Sequence, residues 1–82
     1  MEVELSDKAK RQLKKLPKDQ QKKVVRKLQL LESFPFSGKT LSGDFSGKYS
    51  FRAWPYRIIY LIDKKQKLVE IVTIEHRQGV YK

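Results

Sequence analysis

The chain closes on IEHRQGVYK, residues 74–82, which places His76, Arg77 and Tyr81 among its last seven residues. Upstream, YSFRAWPYR, residues 49–57, carries Arg52, Trp54 and Arg57. These residue types suit chemistry at a phosphate. Arginine binds phosphate through a planar, bidentate fork and stays charged under all relevant conditions. Histidine changes protonation near neutrality. Tyrosine, with a pKa of about 10 unperturbed, is poorly ionised at neutral pH, and nearby arginines favour its phenolate and lower that value. Cleavage of an RNA phosphodiester by its own 2′-hydroxyl needs such a set and no metal. It takes a base for the hydroxyl proton, an acid for the leaving oxygen, and positive charge where the transition state accumulates negative charge. Arg57 and Arg77 could supply that charge, and Tyr81 or His76 could move the protons. Trp54, at a turn, could stack on a base. Each has an ordinary alternative. His76 could be structural, Tyr81 could pack the C-terminus on a sheet, and Trp54 could cover a core edge.

Whether these groups meet depends on the elements that carry them. Residues 2–5, EVEL, alternate as a short strand does. Ser6 can cap a helix with Asp7 in its first turn. That helix is expected over 7–16, with Ala9, Leu13 and Leu16 at helical spacing. Pro17 interrupts it and can open the next, expected over 18–33, whose stripe is Val24, Leu28 and Leu31, widened by Val25. Each helix has one apolar stripe and the join is short, so the two should fold back as a hairpin. Residues 34–47 hold three glycines and a proline and read as a loop. Strands are expected over 48–53, 56–63 and 67–75, separated by Trp54-Pro55 and Lys64-Lys65-Gln66. The fold class is α+β in the order β-α-α-β-β-β, a helix hairpin on a small, mainly antiparallel sheet, in a single domain over 1–82.

A turn at Trp54-Pro55 sets Arg52 opposite Arg57, Phe51 opposite Ile58 and Tyr49 opposite Tyr60, each pair on one face. A tight turn around Lys65, with Ile62 opposite Leu68, then puts Arg57 and Arg77 on the same face. Tyr49, Phe51, Ile58, Tyr60, Val72 and Ile74 become the floor for the helices. The other face carries Ile59, Leu61, Val69 and Ile71 at one end and Arg52, Arg57 and Arg77 at the other. Asp63 and Glu75 share its parity and could partly balance the arginines. A slip of one residue in either hairpin would separate them.

Composition narrows the remaining classes. Nineteen Lys and Arg against nine Asp and Glu give a formal net charge of +10 on 82 residues. Such a field suits solubility, or a polyanionic partner such as RNA, DNA, a ribosome or an acidic protein. With no cysteine and one histidine, a disulfide, a thiolate nucleophile and a structural zinc are not expected. No cofactor is expected. Apolar runs are far shorter than a membrane span and no secretory pattern opens the chain, so no membrane partner and a cytoplasmic location are expected. There is no phosphate-cradling glycine loop, no HExxH and no defensible Ser-His-Asp set.

The segments YSFRAWPYRIIYLID, residues 49–63, and IVTIEHRQGVYK, residues 71–82, resemble the RelE/ParE toxin superfamily of type II toxin–antitoxin pairs. The likeness extends over nearly the whole chain, including the opening strand, the basic helix pair and KTLSG at residues 39–43. The ending is more similar to the RelE-like branch, whose members are metal-independent endoribonucleases, most of them cutting mRNA in the ribosomal A site. ParE-like members inhibit DNA gyrase instead. The resemblance implies that Arg57 contacts phosphate, that Arg77 steadies the transition state, and that Tyr81 is general base and stacking partner. Arg52 stands where the best-studied type has a lysine. Ser50 stands where the pattern often has a second lysine; the chain then uses His76 for proton transfer or is slower, and the alternative is a decayed toxin that binds without catalysis. The implied RNA-binding set is Lys48, Ser50, Arg52 and Trp54. The implied partners are mRNA with the ribosomal A site, or DNA gyrase in the alternative, and a cognate antitoxin. The antitoxin is expected on apolar surface left by the helix hairpin or on the Ile59/Leu61/Val69/Ile71 face.

Overall fold

A computed structural model describes residues 1–41 and 47–76. The element order is β1 (Glu2–Leu5), α1 (Asp7–Lys15), α2 (Lys18–Ser33), β2 (Lys39–Thr40), β3 (Lys48–Ala53), β4 (Tyr56–Asp63) and β5 (Leu68–His76). The five strands form one sheet in the order β1-β5-β4-β3-β2. β1 runs parallel to β5, and the other pairings are antiparallel. The α+β layout is as expected, with one addition. The stretch read as loop contains β2, whose two residues pair with Ser50 and Tyr49. Two residues are too few to show an alternation in sequence.

Local chemistry sets the helix ends. Ser6 Oγ accepts from the Ala9 N–H at 3.0 Å and donates to the Val72 carbonyl at 2.7 Å, so one hydroxyl caps α1 and ties it to β5. Leu16 and Lys14 leave carbonyls at the end of α1, and Gln21 Nε2 reaches back to both, at 2.8 and 3.3 Å. Pro17 occupies the N-cap of α2. α1 passes the edge of β5 beyond the end of β1. There Gln12 Oε1 accepts from the Ile74 N–H at 2.7 Å, satisfying an edge that β1 no longer covers, and lies 3.1 Å from Thr73 Oγ1.

The helices cover one face of the sheet. Ala9, Val24, Leu28 and Leu31 meet Ala53, Ile58, Tyr60, Val69, Ile71 and Ile74 in the core. Val25, expected to widen the helical stripe, is exposed instead. Tyr60 is fully buried and holds the segment after α2. Its hydroxyl donates to the Pro35 carbonyl at 2.8 Å and accepts from the Gly38 N–H at 2.9 Å. Its ring stacks on Tyr49 at 5.2 Å.

Burial pushes the Tyr60 phenol above its ordinary value of 10.0, the Gly38 N–H pulls the other way, and neighbouring Tyr49 adds to the rise. The folded state therefore favours the neutral phenol more than the unfolded chain does. That stabilisation is fully present below about 10 and is lost as pH rises through the folded value. In thermal melts above pH 10 the parent protein is expected to lose stability more steeply than its Tyr60→Phe variant. Parallel melting curves across that range would refute the assignment.

The first hairpin has the expected register, with Tyr49, Phe51 and Arg52 opposite Tyr60, Ile58 and Arg57. The second differs. Asp63, not Ile62, faces Leu68, because the turn takes four residues. Asp63 Oδ1 accepts from the N–H groups of Lys65 and Gln66 at 3.0 and 3.1 Å, and Lys67 closes the turn in the left-handed region at φ 54°. A β-bulge follows. Tyr60 faces Ile71 while Ile59 faces Thr73, so Val72 is the extra residue on β5. Val69 and Ile71 therefore lie in the core and not on the far face, and Val72 leaves the helix floor. Beyond the bulge the parity expected at the arginine end returns, with Arg57 opposite Glu75 and Ile58 opposite Ile74.

Candidate functional site

The face away from the helices is graded in charge from edge to edge. β3 contributes Lys48, Ser50 and Arg52, and β4 contributes Arg57, Ile59 and Leu61. β5 and β1 contribute Glu70, Glu75, Glu2 and Glu4. Arg52 and Arg57 are direct cross-strand partners, a like-charge pair that an anion between them would relieve. Arg57 also faces Glu75 across the other ladder. Glu75 has further partners, since its Oε1 accepts from Thr73 Oγ1 at 2.8 Å and lies 3.8 Å from Lys8 Nζ.

Arg52 and Arg57 open onto a cleft of about 800 Å³ that rounds the edge of β3. Lys23, Lys27 and Lys39 also line it, with Trp54, and among the described residues no carboxylate does. Trp54 is 55% exposed at the β3–β4 turn, as a stacking residue would need to be. Ser50 lines the cleft too, but at 8% exposure it is floor and not a reaching contact. Lys48 sits four residues from Arg52 along the same face, roughly 13 Å at the usual strand rise.

His76 stands at the same end of the sheet as Arg57, but on the other face. Its cross-strand partner is Tyr56, and the two rings meet edge-on at 5.4 Å. Tyr56 packs against the core, so alternation puts His76 on the helix side. Arg77 and Tyr81 lie outside the described residues. Of the expected catalytic set, the structure thus places Arg57 in the cleft and His76 around the strand end from it. Reading the sequence missed Lys23, Lys27 and Lys39 as cleft residues. A lysine on a basic helix carries no local sign of which tertiary surface it will face. Among the described residues, no three His, Cys, Asp or Glu side chains gather as a metal site, and no helix is long and apolar enough to cross a membrane.

The expected apolar seat on the sheet is absent in the form anticipated. Val69 and Ile71 are fully buried and Ile59 nearly so, which leaves Leu61 half-buried. Among the described residues, the large apolar side chains that remain open are Val25 and Leu30 on α2, Phe34 and Phe36 just beyond it, and Trp54.

Residues 3–81 match the family model described as ParE toxin of type II toxin–antitoxin system, parDE. Toxin RelG of Mycobacterium tuberculosis is 36% identical over 45 residues, which are 55% of this chain and 52% of that protein. The chain thus spans about half the length of the curated relative it matches. In the crystal structure of the toxin–antitoxin complex RelBE2 from M. tuberculosis, one chain superposes with a TM-score of 0.86 at 33% identity, covering 93% of this chain and 96% of that one. The YoeB/ParE toxin from Agrobacterium tumefaciens shares the fold, with a TM-score of 0.80 at 17% identity over 93% of this chain and 98% of the other. The order of elements, the sheet topology and a family match over nearly every residue agree: the chain belongs to the RelE/ParE-type toxin superfamily of type II toxin–antitoxin systems.

Proposed function

We propose that this chain is a toxin that cleaves messenger RNA, most of all message held in the ribosomal A site, without a metal ion. The observation that carries the reading is the Arg52–Arg57 pair, opposed across two strands and open to a cation-lined cleft beside an exposed tryptophan. A scissile phosphate between the two guanidiniums would be held by bidentate contacts. The 2′-oxygen then attacks phosphorus as its proton leaves to a base, and the 5′-oxygen departs as it is protonated. The products are a cyclic phosphate and a free 5′-hydroxyl. Arg57 stabilises the charge that grows on the phosphate oxygens, with Arg77 in the same role. Tyr81 is the base. His76 donates to the leaving oxygen, and from its place on the helix side it does so only with RNA bent around the strand end. A cognate antitoxin would hold this activity in check in the cytoplasm. Leu30, Phe34 and Phe36 offer it an apolar strip, and the +10 net charge favours an acidic chain.

A second reading has its own support, because the matching family model is that of the ParE toxin. A ParE-like protein would bind DNA gyrase and cut nothing. The test is primer extension on message translated in vitro, beside the same message without ribosomes, with a gyrase supercoiling assay in parallel. New ends on ribosome-bound message are expected, with gyrase unaffected. Intact message together with inhibited supercoiling would replace the first reading by the second.

A further inference from the structure

We propose that α2 and the open edge of β3 form a second contact site for single-stranded RNA, in which Lys23 and Lys27 hold backbone phosphates and Trp54 stacks on a base. It rests on the nuclease reading above and adds a binding surface outside the cleaving groups. β2 pairs only with Tyr49 and Ser50, so among the described residues no strand lies beyond Phe51, Arg52 and Ala53. The cleft passes around that edge and joins the arginines of the far face to the helix side. On the helix side it meets α2, where Lys23 and Lys27 are one turn apart, with Cβ atoms about 5–6 Å from each other.

Both lysines are held in place. Lys23 Nζ donates to the Trp54 carbonyl at 2.9 Å. Lys27 Nζ lies 5.5 Å from the centre of the Phe51 ring. An ammonium has three donors, so the bond to Trp54 leaves Lys23 two for a phosphate. That same bond couples a phosphate contact to the neighbouring stacking platform. A basic groove beside an exposed aromatic is the arrangement that tracks a single strand without reading its sequence. Among the described residues no carboxylate lines the cleft itself. Glu2, Glu4, Glu70 and Glu75 are on β1 and β5, beyond β4 from this edge. Asp19, one turn before Lys23, lines an adjoining groove with Lys22, Lys23, Arg26, Lys27 and Leu30, where four cations outnumber its single carboxylate.

The test is fluorescence anisotropy with a labelled, short single-stranded RNA carrying 2′-O-methyl sugars, which the protein cannot cut. Binding is followed across a salt series. Lys23→Gln and Lys27→Gln should each weaken binding and make the slope of log K against log salt less negative by roughly 0.7, and the double variant by roughly 1.4. Trp54→Ala should weaken binding by roughly tenfold and leave the slope unchanged. Arginine in place of both lysines should restore the parent slope. A double glutamine variant that melts like the parent and keeps its affinity and slope would overturn the proposal. So would lysine variants that lose affinity for a polyglutamate peptide and not for RNA, which would assign the surface to an acidic protein segment. Parent protein that leaves message uncut while its lysine variants lose RNA affinity would end the nuclease reading and support this site. Cleavage with unchanged RNA affinity in the lysine variants would do the reverse.

Discussion

Replacing Arg57 by alanine should lower the rate of message cleavage by roughly 10²- to 10³-fold, the usual cost of removing one preorganised group that meets transition-state charge. The loss should appear in single-turnover cleavage of ribosome-bound message, so that slow product release does not hide it. Arg57→Lys should recover only part of the rate. An ammonium restores the charge and loses the planar fork that grips two phosphate oxygens. Folding should change little, by about 1 kcal/mol or less, because Arg57 lies on the helix-free face and its removal also relieves repulsion from Arg52. Circular dichroism melts check this. A variant that cuts at the parent rate would remove Arg57 from the mechanism. One that unfolds would show that the arginine face is part of the core.

Tyr60→Ala should do the opposite and cost roughly 3–5 kcal/mol of stability, as large-to-small changes in cores do. Tyr60 has no exposed surface, and it lies against the position of Gly38 so closely that a methyl group there would meet its hydroxyl and come within 2.9 Å of two ring carbons. Removing the ring empties the centre of the core. It also strands the Pro35 carbonyl and the Gly38 N–H that the hydroxyl serves. In a domain whose whole stability is of the order of 5–10 kcal/mol, the variant should be largely unfolded at physiological temperature. A melting point within a few degrees of the parent would show that the segment after α2 is held by something else.

The elements were legible because local signals agreed. Ser6 and Pro17 mark the helix starts, and Trp54-Pro55 marks a turn that permits one register on either side. That turn made the Arg52–Arg57 pair predictable. The β4–β5 hairpin was less legible for two physical reasons. Asp63 uses its side chain to accept two N–H groups, which lengthens the turn by a residue that Lys64-Lys65-Gln66 does not advertise. Val72 is an ordinary strand former, so nothing in its type announces a bulge. The two departures compensate, and the parity deduced for Arg57 and Glu75 holds through a different pairing. Lys23 and Lys27 could be read only as a solvated helix face, since their place in the cleft depends on where α2 crosses the sheet.

The bulge at Val72 has a consequence for inheritance. Deleting that single codon would leave charge, composition and nearly all sequence identity as they are. The ladder would become regular, with Ile71 still opposite Tyr60, Thr73 opposite Ile59 and Glu75 on the face it shares with Arg57. A lineage carrying the deletion would keep the register of its site and lose only the local bend and extra twist that the bulge gives β5. In this fold a one-residue gap between Tyr60 and the closing His-Arg is therefore no mark of a silent toxin, because the bulge can absorb it.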